Sequence, residues 1–196
     1  MIARDRVICL VKSGAKRGSP ITAKVIMEME IKIAWSTQKS PDFDLREFVS
    51  GVLEIAKENL QRDGELAGIA FVITDDQIQC AAMEFAEHDE KTAMYNALTR
   101  FAQTEHATAL VTCNDAFMSN DAGPDAAETY YPGKLAAEGA RECIMLTVSG
   151  PGIRTWCLEV PYERERNEIR FGDVVEESGG QLGLLEGWAS VESKVH

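Results

Sequence analysis

The segment from residue 44 to residue 83 decides the fold, and it reads DLREFVSGVLEIAKENLQRDGELAGIAFVITDDQIQCAAM. Its first half predicts a helix over 44–62, because apolar side chains recur on one helical stripe. Those side chains are Leu45, Phe48, Val49, Val52, Leu53, Ala56 and Leu60. Asp44 is suited to cap the N-terminus, with Glu47 three residues later, and Gly64 is suited to end the helix in a left-handed conformation. The second half predicts strands over 69–74 and 77–83, joined by a tight turn at Asp75-Asp76.

Outward from this segment, alternating polarity over 25–35 predicts a strand with one solvated face. A second helix is predicted from Asp89 to about Glu105, with a narrow apolar stripe of Ala93, Met94, Ala97, Leu98, Phe101 and Ala102. Further strands are predicted over 107–114, 142–149, 153–160 and 168–174, with a hairpin turn at Gly150-Pro151-Gly152. The polar, aperiodic stretch 119–141 is typical of a long surface loop.

This order of elements predicts an α+β fold, a mostly antiparallel sheet with two main helices packed on one face. The domain is predicted to span 25–176. Residues 1–24 are interpreted as a flexible extension, or as lying upstream of a true translation start at Met27 or Met29. Residues 177–196 form a glycine-bearing tail whose apolar cluster is expected to dock on the same chain. That cluster is Leu182, Leu184, Leu185 and Trp188.

Charge restricts the possible partners. The 196 residues carry a net charge of −12, which opposes direct binding of DNA, RNA or an anionic membrane. The negative charge favours a basic protein as the partner. A more specific form of this hypothesis is that the acidic side chains mimic the phosphates of a nucleic acid. No stretch reaches the 18 or so apolar residues of a membrane-spanning helix. The five cysteines form no C-x-x-C, so structural thiols in a reducing cytoplasm are expected.

No familiar catalytic motif is present, and no cofactor is predicted. The chain contains neither the P-loop nor the dinucleotide-binding glycine pattern, and it lacks G-x-S-x-G. The candidate metal ligands are Glu84, Glu87 and His88, near the start of the second helix, and Asp115 at a strand end. Carboxylates and imidazole bind divalent ions, but acidic residues at a helix N-terminus also complement the helix dipole. A metal-dependent hydrolase between His88 and the 114–141 loop is therefore the second hypothesis.

Apolar and aromatic residues outside the expected core predict contact with a partner. Phe117 and Met118 lie where the chain leaves the sheet, Tyr130 and Tyr131 are adjacent in the polar loop, and Trp188 lies in the tail. Such side chains either fold back on the domain or touch another molecule.

Three short segments carry a resemblance, namely NDAFM at 114–118, RECIM at 141–145 and VPYER at 160–164. Their layout resembles that of uncharacterised bacterial cytoplasmic proteins, and the order of elements resembles the profilin-like or roadblock-type arrangement. The resemblance implies no activity. The leading hypothesis is a non-enzymatic protein-interaction or regulatory module, as a homodimer or with a basic partner. An acidic, nucleic-acid-mimicking inhibitor of a basic protein is the third hypothesis.

Overall fold

The structure is a computed structural model that describes residues 31–85, 88–118, 141–166, 168–178 and 185, apart from the side chains of residues 88, 89 and 118. In chain order the elements are β1 (Ile33–Gln38), α1 (Leu45–Asp63), β2 (Gly68–Ile73), β3 (Gln77–Met83), α2 (His88–Thr104), β4 (Ala109–Met118), β5 (Arg141–Gly150), β6 (Ile153–Glu165), β7 (Glu168–Phe171) and β8 (Val175–Ser178).

These strands form one sheet in the order β1-β3-β2-β4-β5-β6-β7, and β8 also pairs with β6. Every pairing is antiparallel. The α+β prediction is confirmed. The long strand β6 pairs with β8 through its first half and with β7 through its end, so the two short strands lie along one edge of β6.

Local sequence signals act as expected in the deciding segment. The Asp44 carboxylate accepts a hydrogen bond from the Glu47 N–H at 2.8 Å and so caps α1. Gly64 ends α1 with a φ of 74°, where a side chain would be strained. In the turn between β2 and β3, the Thr74 hydroxyl accepts from the Gln77 N–H at 3.0 Å.

The two helices lie on opposite faces of the sheet, so the expectation that both pack on one face is wrong. The side chains of β4 alternate between the faces: Val111 and Cys113 pack with α1, whereas Leu110 packs with α2. Both faces of β2 and β4 are therefore buried. Apolar content alone does not show which face each helix covers, because a strand buried on both faces is apolar throughout.

Several boundaries differ from the predictions. Strand β1 runs from Ile33 to Gln38, later than the predicted 25–35, while β4 and β6 extend to Met118 and Glu165. The strand predicted over 168–174 ends at Phe171 as β7, and a further strand that was not predicted, β8, follows at Val175–Ser178. In the tail, Leu185 is only 1% exposed and packs with the α2 cluster, so this member of the apolar cluster docks on the same chain as predicted.

Candidate functional site

A polar network of four side chains lies at the ends of β4, β5 and β6, on the face that α1 covers. It consists of Asp115, Glu142, Tyr162 and Arg164. Glu142 pairs with Tyr162 across the strands, and it pairs with Phe117 on its other side. Tyr162 belongs to the α1-side core, which fixes the face. All four residues lie on paired strands, so the network is held by the sheet rather than by a loop.

The Tyr162 hydroxyl is the centre of this network. It lies 2.7 Å from Asp115 Oδ1, to which it donates, 3.3 Å from Glu142 Oε1, and 3.1 Å from the Arg164 Nη2 that donates to it. The Tyr162 residue is buried, and its ring packs edge-on against Phe171 with centroids 6.3 Å apart. A buried hydroxyl with three charged neighbours holds its position closely, since each neighbour restricts its orientation.

Arg164 ties the network to the end of α1. Its Nε donates to both Glu142 oxygens at 3.0 and 3.2 Å, and its Nη1 donates to the Gly64 carbonyl at 2.6 Å. The guanidinium carbon lies 5.2 Å from the centroid of the Tyr162 ring. Cations favour the C-terminal ends of helices, where carbonyl groups lack partners within the helix. The network therefore joins the C-terminal end of α1 to β6.

The close approach of these four side chains shifts the pKa values of several of them. Burial raises the pKa of the Asp115 carboxyl, the Tyr162 hydroxyl opposes that rise, and the nearby Glu142 adds to it. Burial and the hydrogen bond to Asp115 raise the pKa of Tyr162, so the phenol stays protonated. The hydrogen bond to Glu142 raises the pKa of Arg164. The site thus presents two carboxyl groups and one guanidinium around a phenol, a donor–acceptor surface with a formal charge of −1.

Phe117 flanks the network. It is 40% exposed, one of the large apolar side chains that remain in solvent. The structure therefore places this predicted contact residue beside Glu142, at the end of β4. The other predicted contact residues, Tyr130, Tyr131, Trp188 and the side chain of Met118, lie outside the described residues.

Of the four candidate metal ligands, the structure describes the side chains of Glu84 and Asp115. Asp115 belongs to the tyrosine network, and Glu84 is exposed just after β3. The side chains of Glu87 and His88 lie outside the described residues. Within the described part of the chain, the one group of three possible metal ligands is Cys157, Glu159 and Glu177, which no pattern in the sequence singled out.

Sequence reasoning also missed Glu142, Tyr162 and Arg164. Arg164 lies among the alternating charges of ERERNE at 163–168 and looked like part of a solvated strand end. A usable signal was the two-residue period of Trp156, Leu158 and Val160, which continues through Tyr162 and Arg164 onto the same face. The sequence could not show that Asp115, 47 positions earlier, shares that face.

Comparisons with protein-family models, curated proteins and solved structures found no match for this chain. The resemblance to bacterial cytoplasmic proteins and to roadblock-type domains therefore stays a hypothesis. Among the helices in the described ranges, none is long and apolar enough to cross a membrane.

Proposed function

We propose that this chain is a non-enzymatic protein-interaction module that binds a basic protein partner. The contact surface is the Phe117 corner, which we define as Phe117, Asp115, Glu142 and Arg164. The observation that carries the proposal is the exposure of Phe117, 40%, directly beside a preorganised network of charged side chains.

An exposed aromatic ring next to fixed polar groups is typical of the energetic centre of a protein interface. The ring supplies apolar area to bury, and the neighbouring charges fix the orientation of the partner. Here the charges are already positioned by Tyr162, so the partner orders few of them on binding. Preorganisation of this kind favours affinity because less side-chain entropy is lost.

Charge complementarity selects the partner class. The corner carries two carboxylates and one guanidinium, within a chain of net charge −12. A basic surface gains from this field both in association rate and in specificity. An acidic partner is repelled by this charge, and a second copy of this chain is repelled for the same reason, because it is also acidic.

Selection from a displayed library of random peptides tests the proposal and needs no identified partner. The immobilised full-length chain is compared with Phe117→Ala and with Ile55→Ala. Ile55 is a matched control, since it is an exposed apolar residue on α1 that does not belong to the Phe117 corner.

We expect the wild type to enrich peptides rich in Lys and Arg. Phe117→Ala should weaken binding of an enriched peptide by about 30-fold, the loss typical of a central interface residue. Ile55→Ala should leave it unchanged. Enrichment of acidic or neutral peptides would overturn the basic-partner proposal, and equal binding by both variants would overturn the assignment of the surface. A concentration-dependent dimer that Phe117→Ala abolishes would show instead that the corner binds a second copy.

A further inference from the structure

The exposed ring of Phe117 has a carboxyl group on each of two sides. Asp115 precedes it by two residues on β4, so the two side chains lie on the same face of the sheet, about 7 Å apart along the strand. Glu142 lies directly opposite Phe117 on β5 and shares that face. Among the described aromatic residues, Phe117 is the one that is exposed. The corner therefore offers a flat apolar surface with carboxyl groups at its rim.

The two carboxyl groups differ in how far their charge is already neutralised. Both oxygens of Glu142 accept from Arg164 Nε, at 3.0 and 3.2 Å. Asp115 accepts from the neutral Tyr162 hydroxyl through Oδ1, and no described Lys or Arg forms an ion pair with it. Arg164 donates to the same hydroxyl, so Asp115 is held by an oriented donor. The unpaired charge of the corner therefore lies on Asp115, on the same strand as the exposed ring.

Elsewhere in the chain, a ring and a carboxylate on the sheet hold an arginine. Arg46, at the start of α1, lies over the Trp156 ring, with its guanidinium carbon 4.7 Å from the ring centroid. The same guanidinium forms two hydrogen bonds with Glu176, at 2.9 and 3.0 Å. Trp156 lies on β6 and Glu176 on the neighbouring β8. Phe117 and Asp115 present the same two groups, and among the described cations none lies over the Phe117 ring.

Geometry within the chain favours arginine over lysine as the cation. The two described arginines that lie over rings, Arg46 and Arg164, have guanidinium carbons 4.7 and 5.2 Å from the ring centroids. The ammonium nitrogens of the three described lysines over rings lie farther away, at 5.7, 6.0 and 5.9 Å. A guanidinium is planar, so it stacks on a ring while its N–H groups still point outward to a carboxylate. An ammonium has no flat face and is more strongly hydrated, so it gains less from the same surface.

We propose that the Phe117 corner recognises an arginine side chain of its partner, with the guanidinium stacked on the Phe117 ring and hydrogen-bonded to Asp115. This inference rests on the proposed function, because it names the group that the same surface selects. Phe117 supplies the specificity, since charge alone attracts lysine and arginine alike. Asp115 supplies the charge and the acceptor oxygens, and a guanidinium beside it favours the ionised carboxylate.

Fluorescence anisotropy on the full-length chain tests this inference with two labelled peptides of equal length and charge, octa-arginine and octalysine. The wild type should bind octa-arginine about tenfold more tightly, because the peptides differ in the planar group and not in charge. Phe117→Leu keeps an apolar side chain and removes the ring, so it should reduce the ratio of the two affinities to below about twofold. Ile55→Ala, which changes an exposed apolar residue outside the corner, should leave the ratio unchanged.

Asp115→Asn tests the carboxylate against a matched loss of charge. It should weaken octa-arginine binding by about fivefold or more, because the charge is lost at the proposed contact. Asp75→Asn removes the same charge from the exposed turn between β2 and β3, at the opposite end of the sheet, and should change the affinity by less than about twofold.

The outcomes separate this inference from the proposed function. Equal affinities of the wild type for the two peptides would overturn the arginine inference and leave the basic-partner proposal in place, whereas binding of neither peptide would overturn both. An arginine preference that survives in Phe117→Leu, or equal losses in Asp115→Asn and Asp75→Asn, would also overturn the inference.

Discussion

Replacing Tyr162 with Phe removes the hydroxyl at the centre of the polar network and keeps the ring against Phe171. The 2.7 Å hydrogen bond to Asp115 is lost, and the carboxylate of Asp115, which is an exposed residue, then has no donor from Tyr162. Hydrogen bonds to charged groups contribute about 1.5–3 kcal/mol. Because Asp115 is partly solvated, water compensates in part, and we expect a loss of about 1–2 kcal/mol in the free energy of unfolding.

The assay is urea denaturation followed by circular dichroism, with Tyr162→Phe, Asp115→Ala and the double variant completing a thermodynamic cycle. We expect a coupling energy of about 1 kcal/mol between the two positions. The control cycle combines Tyr162→Phe with Glu165→Ala. Glu165 lies on the same strand but pairs with Arg170, outside the network, so those two changes should be additive.

Two results would refute the reasoning. One is a cost of less than about 0.5 kcal/mol for Tyr162→Phe, which would mean that the hydroxyl is not a strong donor to Asp115. The other is equal coupling in the two cycles, which would mean that the network does not act as a unit. The slope of the unfolding free energy against urea should stay constant, because the buried surface is unchanged.

The remaining predictions concern packing, backbone space and pH. Leu98→Ala should lower the free energy of unfolding by about 2–5 kcal/mol, measured by thermal or urea denaturation, because Leu98 is 0% exposed. Phe101→Ala should lower it by less, since Phe101 is only partly buried. Equal losses would contradict this ranking of the α2 stripe. Gly51→Ala should raise the free energy of unfolding by about 0.5–1 kcal/mol, because nothing lies within 4 Å of the new methyl group in α1. Gly68→Ala should lower it, because that methyl group would lie 2.8 Å from a neighbouring amide oxygen. A stabilised Gly68→Ala variant would show that this contact relaxes freely. Because the pKa of Asp115 is raised, the folded state binds the proton of this carboxyl group more tightly than the unfolded state does. The stability that this proton contributes is fully present below the ordinary pKa of about 4 and is lost as pH rises through the pKa in the folded state. Asp115→Asn should therefore flatten the fall in melting temperature from pH 4 to pH 7, and an unchanged profile would exclude Asp115 as its source.

In α2, packing determines how deeply each residue of the apolar stripe is buried, and periodicity alone does not rank those depths. The apolar stripe was predicted from Ala93 to Ala102, and its members Met94, Leu98 and Ala102 pack in the cluster on the α2 face of the sheet. Its most buried large residue is Leu98, whereas Phe101 lies at the margin, and Tyr95 is also buried. A periodic pattern gives the direction of a face, but the depth of each residue depends on the width of the surface opposite.

The candidate site likewise combines residues that could be selected from the sequence with residues that could not. Asp115 and Phe117 could be selected from sequence because a strand end that feeds a polar loop is a recognisable position. Their partners could not be selected, since Glu142, Tyr162 and Arg164 come from strands whose register is set only when the sheet assembles. The same holds for Cys157 and Glu177, which meet because β8 pairs with the first half of β6.

Local sequence by itself determined α1, with its Asp44 cap and Gly64 terminus, and the hairpin that follows it. These signals act within a few residues, through backbone hydrogen bonds and left-handed conformations that do not depend on the rest of the chain. The tertiary structure alone decided that α2 covers the face opposite α1, and that Asp115 meets Tyr162. Those outcomes depend on strand order and register, which are set by burial summed over the whole sheet.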